Sequence, residues 1–135
     1  MNEEFRRNLG VVNLSDFEYI SEIPGNGLLT VTLKYQNKKD KLMYFVKKFK
    51  KNLETKSEHD SFYNEVCILK KVENPAVLSL YGYNPKDSVL EKPIIVTKFY
   101  PKTLEIYTEK NAISIPMSEK YIIILGISEG LKYLH

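Results

Sequence analysis

"FYNEVCILKKVENPAVLSLYGY", residues 62–83, changes its hydrophobic period partway along, and that change decides the fold. Phe62, Val66, Leu69 and Val72 recur at intervals of four, three and three, with Ile68 beside them. That is the spacing of one apolar helix face. The helix reads from Ser57 to Val72, with Ser57 or Ser61 capping its start and Asn74-Pro75 ending it. The stretch then closes on "AVLSLYGY" (76–83), a strand-like run.

Outward from this point the chain is strand on both sides. Upstream, "DFEYISEI" (16–23) alternates Phe17, Tyr19 and Ser21 against Glu18, Ile20 and Glu22. "PGNG" (24–27) is a turn, "LLTVTLKY" (28–35) is rich in β-branched and aromatic residues, "QNKKD" (36–40) is a second turn, and "KLMYFVKKF" (41–49) is a third strand. Short turns between successive strands predict an antiparallel meander. Downstream, "NPKDSVLEK" (84–92) reads as a hairpin loop and "PIIVTKFY" (93–100) as a fifth strand. "PKTLEIYTEK" (101–110) reads as a short helix and "NAISIPM" (111–117) as irregular; Ser118 with Glu119 opens a final helix, "SEKYIIILGISEGLKYLH" (118–135). The fold class is therefore α+β: a five-stranded antiparallel sheet carrying one packed helix, followed by helices. Residues 1–15 form an N-terminal extension, 16–101 the sheet-bearing lobe, and 102–135 the start of an incomplete helical lobe.

The length, 135 residues, suits about one domain, and the 43% apolar content excludes wholesale disorder. No apolar run exceeds "YIIILGI" (121–127), too short to span a bilayer. The first ten residues, "MNEEFRRNLG", place acids before the arginines and lack an apolar core, so they do not read as a signal peptide; Asn2 excludes the myristoylation pattern. Cys67 is the single cysteine, so an internal disulfide and a cysteine metal cluster are excluded. Together these features predict a soluble cytoplasmic protein with no membrane contact. Net charge is +3, with most of the excess between Lys34 and Lys56. Clustered lysines can neutralise phosphates, but this stretch has no arginine for bidentate base contacts. Its aromatics alternate as a strand core would. A solvated lysine-rich face is the preferred reading, with a nucleic-acid-binding α+β domain as the minor alternative.

Four motifs, in order, resemble the eukaryotic protein kinase domain, of the serine/threonine or tyrosine-kinase-like kind, from about Asp16 to His135. "FVKKF" (45–49) resembles the third-strand motif whose lysine faces the nucleotide's α- and β-phosphates. The resemblance assigns that lysine to Lys47, with Lys48 as the competing register. "FYNEVCILKKVENPAVLSLYGY" resembles helix C and the strand after it, and assigns Glu65 as the ion-pair partner of Lys47. "PIIVTKFYPKTLEIY" (93–107) resembles strand five and the hinge, with Thr97 as gatekeeper and Lys98, Phe99 and Tyr100 in the hinge that hydrogen-bonds adenine. "SEKYIIILGISEGLKYLH" resembles helix E, which in the family leads into a histidine-arginine-aspartate catalytic loop. The resemblance implies ATP as cofactor and phosphoryl transfer to protein hydroxyls as the activity of the complete domain.

Three departures qualify that implication. The family's loop carries three glycines and then a valine. Gly25 and Gly27 have the right mutual spacing, but Thr30 stands third; with Val31 taken as the valine, the three places hold Pro24, Asn26 and Leu29. Phe45 stands where the family has a small alanine roofing the adenine. Residues two apart on a strand share a face, so its ring projects toward the adenine site. No catalytic aspartate, metal-binding asparagine or metal-binding aspartate follows helix E within these residues, and His59 and His135 offer no substitute. No catalytic or metal residue is therefore assigned. ATP binding is expected to be weak, with Mg²⁺ not held, and these residues are expected to be inactive as they stand. A pseudokinase-like protein-interaction module is the first alternative. The final helix, apolar on nearly all sides, is expected to bind a protein partner or self-associate.

Overall fold

The computed structural model describes residues 10–25, 27–72, 77–85, 92–101 and 115–135. The strands are β1 (Phe17–Ile23), β2 (Thr30–Asn37), β3 (Met43–Phe49), β4 (Leu80–Asn84) and β5 (Ile94–Lys98); the helices are α1 (Lys56–Lys71) and α2 (Met117–Leu134). One antiparallel sheet has the order β1-β2-β3-β5-β4. This is the α+β architecture that the residue pattern predicts. The predicted hairpin loop over 84–92 and the short helix over 101–110 lie largely or wholly outside the described residues.

The chain divides into two compact units, Met1–Val72 with Leu78–Phe99 and Glu73–Val77 with Tyr100–His135. In the first, β3 is central and its side chains alternate between two cores. Tyr44 and Val46 join Phe17, Ile94 and Val96 on one face, with Leu33 and Tyr35 against them. Phe49 points the other way and packs on Leu53, Phe62, Tyr63, Val66, Tyr83 and Ile95, which hold α1 to the sheet.

The β2–β3 turn is fixed by side-chain oxygens. Asn37 Oδ1 accepts the Lys39 and Asp40 amides at 2.8 and 3.2 Å, and Asp40 Oδ1 accepts the Leu42 amide at 2.8 Å. These local bonds are the mechanism by which Asn and Asp favour turns. They leave Lys41 at a φ of 63°. Asp40 Oδ2 also accepts the Tyr44 hydroxyl at 2.8 Å, and burial together with that carboxylate pushes the phenol up to about 12.

Two expected boundaries need correction. The cap of α1 is Thr55, rather than Ser57 or Ser61. Its hydroxyl accepts the Glu58 amide while Glu58 Oε2 accepts the Thr55 and Glu54 amides, at 3.2, 3.0 and 2.7 Å. This capping box satisfies amides that the first helical turn leaves unpaired, and the donated bonds lower the Glu58 pKa. Leu28 and Leu29, expected inside the second strand, precede it and are 94% and 72% exposed. The ladder to β1 begins only at Ile23 opposite Thr32, which leaves Leu28 and Leu29 outside it.

Residues 10–12, within the expected N-terminal extension, lie against β4. Val11 bridges Tyr83 in parallel, Val12 N donates to Tyr83 O at 2.9 Å, Tyr83 N donates to Gly10 O at 3.3 Å, and Asn84 Nδ2 donates to Val12 O at 2.8 Å. The approach is close enough to require Gly82. A methyl group there would lie 2.8 Å from Gly10 O and overlap Val12 Cγ1.

The second unit contributes α2. Most of its apolar side chains are exposed, among them Tyr121, Ile122, Ile124, Leu125, Ile127, Leu131 and Leu134, and Gly130 is its buried position. No helix among the described residues is long and apolar enough to cross a membrane.

Gly82→Ala is expected to detach residues 10–12 and to destabilise the first unit by about 1–3 kcal/mol, the usual cost of overpacking. Amide exchange should show the Val12 amide losing protection while β2 and β3 keep theirs. Unchanged protection at Val12 would show that the segment accommodates the methyl group.

Candidate functional site

The site is built on the α1 face of β3. Thr32 of β2 and Ile95 of β5 flank Lys47 in the ladder, so its backbone is fixed from both sides. Glu65 lies three residues after Phe62 and one before Val66, and both of those are buried against the sheet. Residues three apart share a helix face, whereas adjacent ones do not, so the docking of Phe62 turns the Glu65 carboxylate toward β3. Lys47 Nζ lies 2.8 Å from Glu65 Oε1. Lys48 stands opposite Val31 and Ile94, on the other face of the strand.

Both side chains of the pair are 39% exposed, so water screens their attraction. A pair of this exposure contributes only about 0.2–1 kcal/mol. Its consequence is positional: a cation and a carboxylate are held at a defined place beside the sheet. Burial of Phe62, Val66 and their neighbours, at about 1.5–3 kcal/mol per side chain, is what holds α1 down.

The glycine positions are unlike each other. Gly25 has a φ of +92°, the left-handed region that glycine adopts without strain. At Gly27 a Cβ would meet only Thr30 Oγ1 at 3.6 Å, an ordinary contact, so nothing there demands glycine. The end of β3 ties this connection down: Lys50 N donates to Leu29 O at 2.9 Å and Lys50 Nζ to Gly27 O at 3.3 Å. Thr30 and Thr32 share the Lys47 face, whereas Val31 lies across from Lys48 on the other.

Toward the end of β5, Thr97 is buried and stands opposite Phe45. Lys98 is exposed, its amide donating to Ser79 O at 3.3 Å. Phe99 turns back to the sheet: its ring centroid is 4.8 Å from that of Phe45, with planes at 55°. Lys34, opposite Phe45 on β2, places Nζ 4.6 Å from the Phe99 centroid. Such contacts contribute about 0.5–1.5 kcal/mol for the ring pair and about 0.5–1 kcal/mol for the cation. The first unit thus brings Lys47 to Glu65 and Phe45 to Phe99. Tyr100 falls in the second unit. Sequence reasoning assigned Phe99 to a hinge and overlooked Lys34. Counting back equally from the turn as read over 36–40 pairs Lys34 with Leu42, not with Phe45, so this contact had no signal in the sequence.

The residues fit an adenine nucleotide on one side only. A fixed lysine paired with a helix carboxylate is what phosphate contact requires. On the side where the resemblance places the purine, the Phe45 ring is in contact with that of Phe99.

Lys47→Ala is expected to lower stability by less than about 1 kcal/mol, against about 3–5 kcal/mol for Phe62→Ala, as measured by urea denaturation. Equal losses would show the ion pair anchoring α1 as firmly as the apolar docking does.

Comparison with known proteins finds relatives among the protein kinases. A receptor-like protein kinase of Arabidopsis thaliana, leaf rust 10 disease-resistance locus receptor-like protein kinase-like 2.1, is 32% identical over 82 residues, covering 59% of this chain and 12% of that protein. A probable serine/threonine-protein kinase of Dictyostelium discoideum, samkC, is 26% identical over 91 residues, covering 67% of this chain and 10% of that protein. The chain therefore spans about a tenth of the length of these relatives. The family model for protein tyrosine and serine/threonine kinases matches residues 26–135, and with most of its length so matched the chain belongs to the protein kinase family.

Proposed function

We propose that this chain is the nucleotide-side lobe of a protein kinase, and that residues 1–135 by themselves transfer no phosphoryl group. The observation that carries the first part is the Lys47–Glu65 pair, at 2.8 Å between a central strand and its packed helix. The lysine would meet α- and β-phosphates and the glutamate would hold the lysine in place. The second part rests on the sequence. A transferable phosphoryl group needs a base beside the accepting hydroxyl and carboxylate or amide ligands for Mg²⁺. The family places these after the helix that α2 resembles, and residues 1–135 contain no such run. ATP affinity is accordingly weak, with the metal contacts lacking.

Incubation of the chain with labelled ATP, Mg²⁺ and a generic protein substrate is expected to give background incorporation only. Incorporation that Lys47→Ala abolishes would overturn the proposal.

A second reading is a kinase-like lobe that serves as a protein-interaction module. The specific observation in its favour is α2, where Ile122 is 67% and Leu125 60% exposed in a helix with apolar residues on most sides. An exposed apolar surface of this kind marks association. The chain is expected to self-associate through α2, and removal of residues 121–135 is expected to give a monomeric, more soluble protein with the sheet intact. Analytical ultracentrifugation decides the matter: a full chain that stays monomeric at high concentration would remove this reading.

A further inference from the structure

Phe45 and Phe99, on the Lys47 face of the sheet, are in ring contact with each other, and that contact bears on what the site admits. Phe45 is two residues before Lys47 on β3, hence on the same face and about 7 Å away along the strand. Phe99 follows the end of β5, whose Thr97 stands opposite Phe45. For a purine to lie between two aromatic faces, their centroids must stand about 7 Å apart, two van der Waals contacts of roughly 3.5 Å each. The observed separation is 4.8 Å, and the planes are tilted at 55° rather than parallel. Lys34 adds a second obstruction, with its ammonium 4.6 Å from the Phe99 centroid. A ring entering against Phe99 would have to displace that cation.

We infer that Phe45 and Phe99, capped by Lys34, form an internal plug that excludes a purine from this lobe, so that Phe45 determines which ligands the site accepts. This rests on the reading of the lobe as nucleotide-binding, and it deepens that reading. The phosphate end stays assembled, because Lys47 and Glu65 pair with each other, while the base end is occupied by the protein's own side chains. Ligands with a phosphate or carboxylate group and no flat base reach Lys47 without disturbing the rings. Purine ligands require the rings to part.

The test uses adenosine, which has the purine and no phosphate, titrated into the full chain by isothermal calorimetry. The wild-type chain is expected to show no saturable binding at about 1 mM, and Phe45→Ala is expected to bind at least tenfold more tightly. Phe99→Ala, which removes the other ring at the end of a strand, is the second variant should Phe45→Ala fail to fold, and is expected to gain binding likewise. Wild-type binding as tight as that of the variants would show an open slot and overturn the plug, while leaving the nucleotide-binding reading in place. Folded variants, verified by circular dichroism, that bind no adenosine would also overturn it. A parallel titration of Phe45→Ala with ATP then separates the two ideas: ATP binding without adenosine binding retains the lobe's function and overturns the plug, and absence of both in the opened variant removes the lobe's function.

Discussion

A strand with neighbours on both sides has no freedom of register, and β3 is that strand. Its ladders to β2 and β5 fix every residue from Tyr44 to Lys48. Because strand side chains alternate, one choice of register decides two cores at once. Tyr44 and Val46 go to one, Phe49 to the other, and Lys47 is left on the helix side. A slip of one residue would bury Lys48 and expose Val46. The apolar residues therefore specify where the functional cation stands, and the cation need not contribute to its own placement.

That division of labour also explains how a half-exposed ion pair can be well placed. Its attraction is largely screened, and the apolar contacts of Phe62, Tyr63 and Val66 with Tyr83, Ile95 and Leu53 dominate the energetics of α1. The capping box at Thr55 fixes where the helix starts, which sets the angular position of every later residue, Glu65 included. Direction is thus supplied by hydrogen bonds at the helix start and adhesion by burial at its middle.

The strands and α1 were legible because their periods, two and near 3.6, are local properties. The pairing of Lys47 with Glu65 was legible through family resemblance and agrees with the faces those periods define. The cap was misread since Ser57 and Ser61 are chemically as able as Thr55. Only Thr55 has a glutamate three residues later, and that reciprocal bond decides. Leu28 and Leu29 have strand-like chemistry but lie beyond the end of the ladder to β1. Gly82 gave no sign of its constraint, because the backbone that crowds it lies some seventy residues earlier in the chain. Phe99 and Lys34 meet for the same reason: each is ordinary in its own segment, and the sheet brings them together.

The contact of residues 10–12 with β4 has a consequence for where this folding unit ends. The family match begins at residue 26 and the recognisable strand pattern at Asp16, yet the outer side of β4 is covered by backbone from before both points. An expression boundary drawn at Asp16 would uncover a β-strand edge, taking from the Tyr83 amide and carbonyl the partners that Gly10 and Val12 supply in a fold that is otherwise intact, and one drawn at residue 26 would remove β1 as well. Bare edges recruit strands from other molecules. A protein trimmed to its homologous core would then be prone to intermolecular strand pairing, and its poor behaviour would reflect the choice of first residue rather than the stability of the domain.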